Sequence, residues 1–73
     1  MKSLEAIQNR FEIVINRLGL TGINFDHYLQ LCKVSQSEEE LFKHLTAYHS
    51  INCEVVDEEE LQVFCAMMFE ENN

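Results

Sequence analysis

Three histidines, His27, His44 and His49, and three cysteines, Cys32, Cys53 and Cys65, are the side chains of this chain whose types suit metal ligation or nucleophilic attack. His49-x-x-x-Cys53 is the one pair at a ligand-like spacing, whereas a zinc centre needs three or four ligands in closing geometry. His44 and His49 stand five apart, off the one-turn spacing that lets two histidines share a metal on one helical face. The cysteines form an odd set without a Cys-x-x-Cys pair, which reads as reduced thiols packed as small hydrophobes rather than a disulfide framework. Nothing in the spacing sets a thiol beside a base. The expectation is a protein without catalytic, metal or cofactor chemistry of its own.

The remaining chemistry is charge. Residues 1–33 carry four Lys or Arg against three acids, and residues 34–73 carry ten acids against Lys43 alone, so the halves sum to +1 and −9. Most of these acids fall in two runs, Glu38-Glu39-Glu40 and Asp57-Glu58-Glu59-Glu60. Each run directly precedes a stretch with helical apolar spacing. Acids in the first turn of a helix are stabilised by the helix dipole and the unpaired backbone donors, by roughly 0.3 to 1 kcal/mol each. That accounts for their placement but not for the near absence of bases beside them, since a surface built only for stability intersperses both signs. The imbalance points to a basic or neutral partner, met quickly and with strong salt sensitivity. It argues against direct contact with nucleic acid or anionic lipid, which needs clustered Lys and Arg. One version of this reading is mimicry of DNA phosphate.

Four elements must position these groups. At 73 residues, with 47% apolar and 25% charged side chains and no proline, the chain is expected to fold as one small all-α domain, a bundle of four short helices at about 4–18, 25–33, 38–49 and 58–70. Ser3 caps the first helix, whose apolar positions Leu4, Ile7, Phe11, Val14 and Leu18 alternate in steps of three and four. Gly19 followed by Leu20 resembles a Schellman stop. Asn24 caps the second helix, with Phe25, Tyr28, Leu29 and Cys32 inward. Ser37 and Glu40 form a capping box for the third, which buries Leu41, Phe42, Leu45 and Tyr48. Residues 50–56, where Ile51, Cys53 and Val55 alternate, are expected to be an extended loop. Asp57 caps the fourth helix, with Leu61, Phe64, Cys65, Met68 and Phe69 inward. A short acidic tail follows. The first residues hold no continuous apolar stretch of the secretory kind and no eighteen-residue apolar run occurs, so the expected compartment is the cytoplasm.

Two surfaces are candidates for contact. On the fourth helix, Val63 and Met67 stand one turn apart, away from the inner stripe and beside Glu59 and Glu60, which composes a small apolar spot with an acidic rim. With Glu38, Glu39 and Glu40 as steering charges, these residues are the candidate partner-binding set. On the first helix, Ile13 and Ile15 widen the apolar face around Phe11, and Arg10 and Arg17 line one edge, which makes a homodimer the rival reading. The second and third helices also have helix-turn-helix proportions, but Ser37-Glu38-Glu39-Glu40 at the start of the would-be recognition helix would repel DNA.

The stretch Tyr28-Leu29-Gln30-Leu31 followed by Ser37-Glu38-Glu39-Glu40-Leu41 resembles the first part of colicin DNase immunity proteins, small acidic four-helix inhibitors of a basic nuclease. The paired tyrosines that carry inhibition in that family have no counterpart here. The same stretch, with Glu60-Leu61-Gln62-Val63-Phe64, is similar in pattern to Hha-type modulators of nucleoid proteins, without their Ala-Ala-Asp-His motif. Both likenesses cover about half of the chain, and each implies a small helical protein that acts by binding another protein. The sequence thus leads to a small acidic regulator or inhibitor acting through helices three and four.

Overall fold

A computed structural model describes residues 3–70; the tail at 71–73 lies outside the described residues. Four helices follow in order, α1 (Leu4–Leu18), α2 (Phe25–Val34), α3 (Glu38–Ile51) and α4 (Glu58–Met68), and no strand occurs among the described residues. The all-α reading holds. None of these helices is long and apolar enough to cross a membrane.

Every helix starts where a short polar side chain can take an orphan amide. Ser3 Oγ accepts from the Ala6 N–H at 3.1 Å, Asn24 Oδ1 from His27 at 3.1 Å, Ser37 Oγ from Glu40 at 3.1 Å, and Asp57 Oδ1 from Glu59 and Glu60 at 3.0 and 3.3 Å. A cap of this kind contributes about 1 kcal/mol. The α3 box closes one residue earlier than its usual form, with Glu40 Oε1 accepting from the Gln36 N–H at 3.2 Å.

The ends differ more from expectation. α1 stops as expected at Gly19, which takes φ 61°, while the Leu20 N–H reaches the Ile15 carbonyl at 3.3 Å. α3 runs on through Ser50 and Ile51, so the extended loop is shorter than residues 50–56. Its stop has the Schellman pattern: the Glu54 N–H bonds the His49 carbonyl at 2.9 Å and the Cys53 N–H bonds the Ser50 carbonyl at 3.0 Å. The left-handed position is filled by Cys53 at φ 56° rather than by glycine. α4 stops at Met68, short of residue 70, with Phe69 as its cap.

Each helix packs on its neighbours in sequence, and α4 closes on α1. The short connections make neighbours antiparallel. Phe64 is central. Its ring meets Phe11 of α1 edge-on at 6.1 Å and Tyr28 of α2 at 5.5 Å, and Leu41 and Leu45 of α3 complete the fully enclosed layer. The α2–α3 turn is held by Ser35, whose Oγ–H donates to the Leu31 carbonyl at 2.6 Å and whose oxygen accepts from His44 Nδ1 at 2.7 Å. The α1–α2 and α3–α4 connections meet at one end of the bundle, where Leu20, Ile23 and Val56 help to line a cleft. The α2–α3 turn and the last turn of α4 lie at the other end.

A left-handed backbone costs an L-residue roughly 1 to 2 kcal/mol, and the greater freedom of unfolded glycine returns part of that difference. Cys53→Gly should therefore stabilise the chain by about 0.5 to 1 kcal/mol, and Gly19→Ala, which meets no neighbour within 4 Å, should destabilise it by about 1 kcal/mol for conformational reasons alone. Urea denaturation of both variants checks the pair; a neutral or destabilising Cys53→Gly would contradict the assigned turn.

Candidate functional site

The antiparallel α3–α4 pair separates the two acidic runs. Glu38, Glu39 and Glu40 open α3 at the end where α4 finishes, and Glu38 is close enough to act electrostatically on the Cys65 thiol. Asp57, Glu58, Glu59 and Glu60 open α4 at the opposite end, beside the C-terminus of α3. The 14 residues of α3 place the runs about 20 Å apart. They are two separate charged ends, not one acidic patch. Glu38, Glu39, Glu59 and Glu60 are exposed, and Glu40 is half-buried by its turn.

On the outer face of α4, Glu59, Gln62, Val63 and Ala66 are exposed at helical spacing, with Val63 48% accessible. Met67 is half-buried and packs on the core, so it shares this face only in part. The first helix uses its seam internally. Phe11 is buried against Phe64 and is unavailable to a second subunit while that core is intact, and Ile15 packs on the core. Arg10 folds over the end of α4, where its guanidinium donates to the Glu70 carbonyl at 3.3 Å. Ile13 and Arg17 remain exposed.

The structure adds a group that the sequence did not single out. Tyr28 of α2 and His49 of α3 are both buried, and the phenol is hydrogen-bonded to His49 Nε2; His49 Nδ1 in turn bonds Glu54 Oε1 at 2.9 Å. A carboxylate can only accept, so Nδ1 carries a proton, and in the neutral tautomer this defines, Tyr28 O–H donates to Nε2. The signal for this was present in the spacing. His49 continues the buried stripe Leu41, Leu45 in steps of four, and a buried imidazole must find partners. Tyr48, expected inward, is half-buried and stacks on His27 with centroids 4.2 Å apart.

This chain of contacts lies at a cleft between the two connections. Tyr28, Leu61 and Phe64 lie at its base, and Glu54, Asp57 and Glu60 are its exposed carboxylates. Burial pushes the Tyr28 phenol up to about 12, reinforced by Cys65, Tyr48, Glu54 and Glu60. Burial likewise pushes Cys32 up to about 12, helped by Cys65, and Cys65 to about 12, helped by Glu38. These thiols are therefore protonated and inert at neutral pH. Cys53 is exposed, and no group of three or more His, Cys, Asp or Glu side chains is placed to hold a metal among the described residues.

The chain matches no family model, no curated protein and no solved structure. The two likenesses noted in the sequence rest on their own residues.

Tyr28, Cys32 and Cys65 hold their protons more tightly in the folded chain. Their contribution to stability is thus complete below the unfolded thiol value of 9.0 and is lost as pH rises toward about 12. Urea midpoints should fall progressively above pH 9, and a Cys32→Ala, Cys65→Ala double variant should show a shallower fall. An equal alkaline slope in both would refute the assignment. Iodoacetamide should label Cys53 alone in the native chain and all three cysteines after denaturation, which mass spectrometry resolves.

Proposed function

We propose that the chain is a cytoplasmic protein-binding regulator or inhibitor that docks on a basic protein surface through the acidic ends of α3 and α4. One observation supports this most. Among the described residues, none of the acids at 38–40 or 57–60 pairs with a Lys or Arg; the acid contacts formed are the Arg10–Glu70 ion pair and the His49–Glu54 hydrogen bond. The seven carboxylates of the two runs are thus left without a cation of their own chain, beyond what helix capping requires. A basic partner would release that repulsion, and the on-rate would fall with salt. Val63, between the two ends on the exposed face of α4, supplies an apolar anchor, with Met67 contributing its accessible part.

The separation of the runs sets the form of the interaction. At about 20 Å they are more than two Debye lengths of about 8 Å apart, so each end acts nearly independently. A partner that spans α3 and α4 meets two charged ends with a weakly apolar centre. The homodimer reading has less support, since Phe11 and Ile15 are used within the chain and Ile13 and Arg17 alone stay exposed.

Affinity capture from host lysate at low and high salt, with wild-type and Glu59→Lys, Glu60→Lys bait, tests the proposal. A basic protein should be retained at low salt, lost at high salt and weakened by the variant, while the variant's thermal unfolding stays close to wild type. Charge reversal at Glu38 and Glu39 should weaken capture additively. Recovery of the bait alone, with melting that rises with concentration, would replace the proposal by the homodimer.

A further inference from the structure

The cleft between the two connections has a volume of about 210 Å³, an apolar and aromatic base and a carboxylate rim, and no Lys or Arg lines it. We propose that it receives an arginine side chain of the basic partner, an inference that rests on the binding reading above and narrows it to one contact.

The argument is an inventory of donors and acceptors. Glu54 uses Oε1 on His49 and keeps Oε2 free, and Asp57 uses Oδ1 on the α4 amides and keeps Oδ2 free. The Glu60 carboxylate makes no hydrogen bond among the described residues. The Tyr28 hydroxyl spends its proton on His49 Nε2 and retains lone pairs. The polar side chains of this cleft therefore present acceptors and hold their own protons internally. A ligand group that meets these side chains must donate to them, which favours a cation over a carboxylate or a phosphate at the rim. Guanidinium has five N–H donors and no acceptor, and ammonium has three.

Two features favour the guanidinium. The base is formed by Leu61, Phe64 and the Tyr28 ring, which suits an apolar stem and a flat, weakly hydrated cation better than a compact, strongly hydrated ammonium. Glu54 and Glu60 line the cleft from different elements, and a planar fork offers N–H donors along more than one edge. Free arginine is a poorer occupant than arginine within a chain, because its own carboxylate would meet the same acidic rim.

Titration of the ¹⁵N-labelled full chain with the blocked tripeptide Ala-Arg-Ala, followed by amide shifts, tests the site. Saturable changes are expected at Gly22, Glu54, Glu60 and Leu61. Ala-Lys-Ala should bind more weakly, and Ala-citrulline-Ala, the neutral isostere, should not bind measurably. Glu60→Gln should weaken Ala-Arg-Ala roughly tenfold, the loss of one charge-assisted hydrogen bond. Glu12→Gln, an exposed acid on α1, should leave it unchanged. Shifts scattered over acids at both ends without saturation, equal binding of the citrulline peptide, or an unaffected Glu60→Gln would each overturn the proposal. Saturable binding lost in Glu60→Gln supports the cleft whether or not capture yields a partner, and unsaturable shifts reject it even where capture succeeds.

Discussion

The hydrogen-bonded chain from Tyr28 through His49 to Glu54 joins α2, α3 and the α3–α4 connection. The core it crosses is thin, ten buried apolar side chains among the described residues with Phe64 at their centre. In such a core an imidazole without partners would cost about 1 to 3 kcal/mol, a large fraction of a small domain's stability. The cost is avoided with the phenol on one ring nitrogen and Glu54 on the other. No buried side-chain nitrogen or oxygen is left without a partner among the described residues. The contact therefore works as a register pin: it sets how far α3 runs, where the chain turns and which way Glu54 faces.

The rest of that end follows. Because Glu54 must return to His49 five residues earlier, the chain has to reverse at once, and Cys53 accepts a left-handed backbone to do so. The next three residues carry the chain to Asp57, which starts α4 under the loop from α1. Leu20 and Ile23 of that loop close the other wall. A cleft with an aromatic base and acidic rim is thus a consequence of how one buried polar group is satisfied. The two acidic runs, by contrast, follow from capping: antiparallel helices that each start with acids must carry them at opposite ends.

Much of this was legible in sequence because its causes are local. Ser3, Asn24, Ser37 and Asp57 announce their helices by chemistry confined to three or four residues, and Gly19 announces a stop for the same reason. The end of α3 was not, because its signal is the usual glycine and Cys53 stands there instead. The alternation of Ile51, Cys53 and Val55 suggested an extended chain, whereas Ile51 is helical and both Ile51 and Val55 are exposed. The candidate site was half legible. Charge composition located the acids and spacing located Val63, but whether two acidic runs share a surface depends on helix direction, a tertiary property. Tyr28, His49 and Glu54 are 21 and 5 residues apart, and only packing brings the phenol to the imidazole. Phe11 shows the converse: an a/d seam on one helix cannot say whether its partner is another subunit or Phe64 of the same chain.

If one buried contact sets this end of the molecule, the state of the His49 ring is the most direct evidence for it. A long-range ¹H–¹⁵N correlation spectrum of the imidazole side chains at neutral pH reads the two ring nitrogens separately. The arrangement described requires His49 to carry its proton on Nδ1, facing Glu54, with Nε2 bare and accepting from Tyr28, and requires that pattern to weaken in Tyr28→Phe. A ring protonated on Nε2, or one averaging between tautomers as a solvent-exposed histidine does, would contradict it.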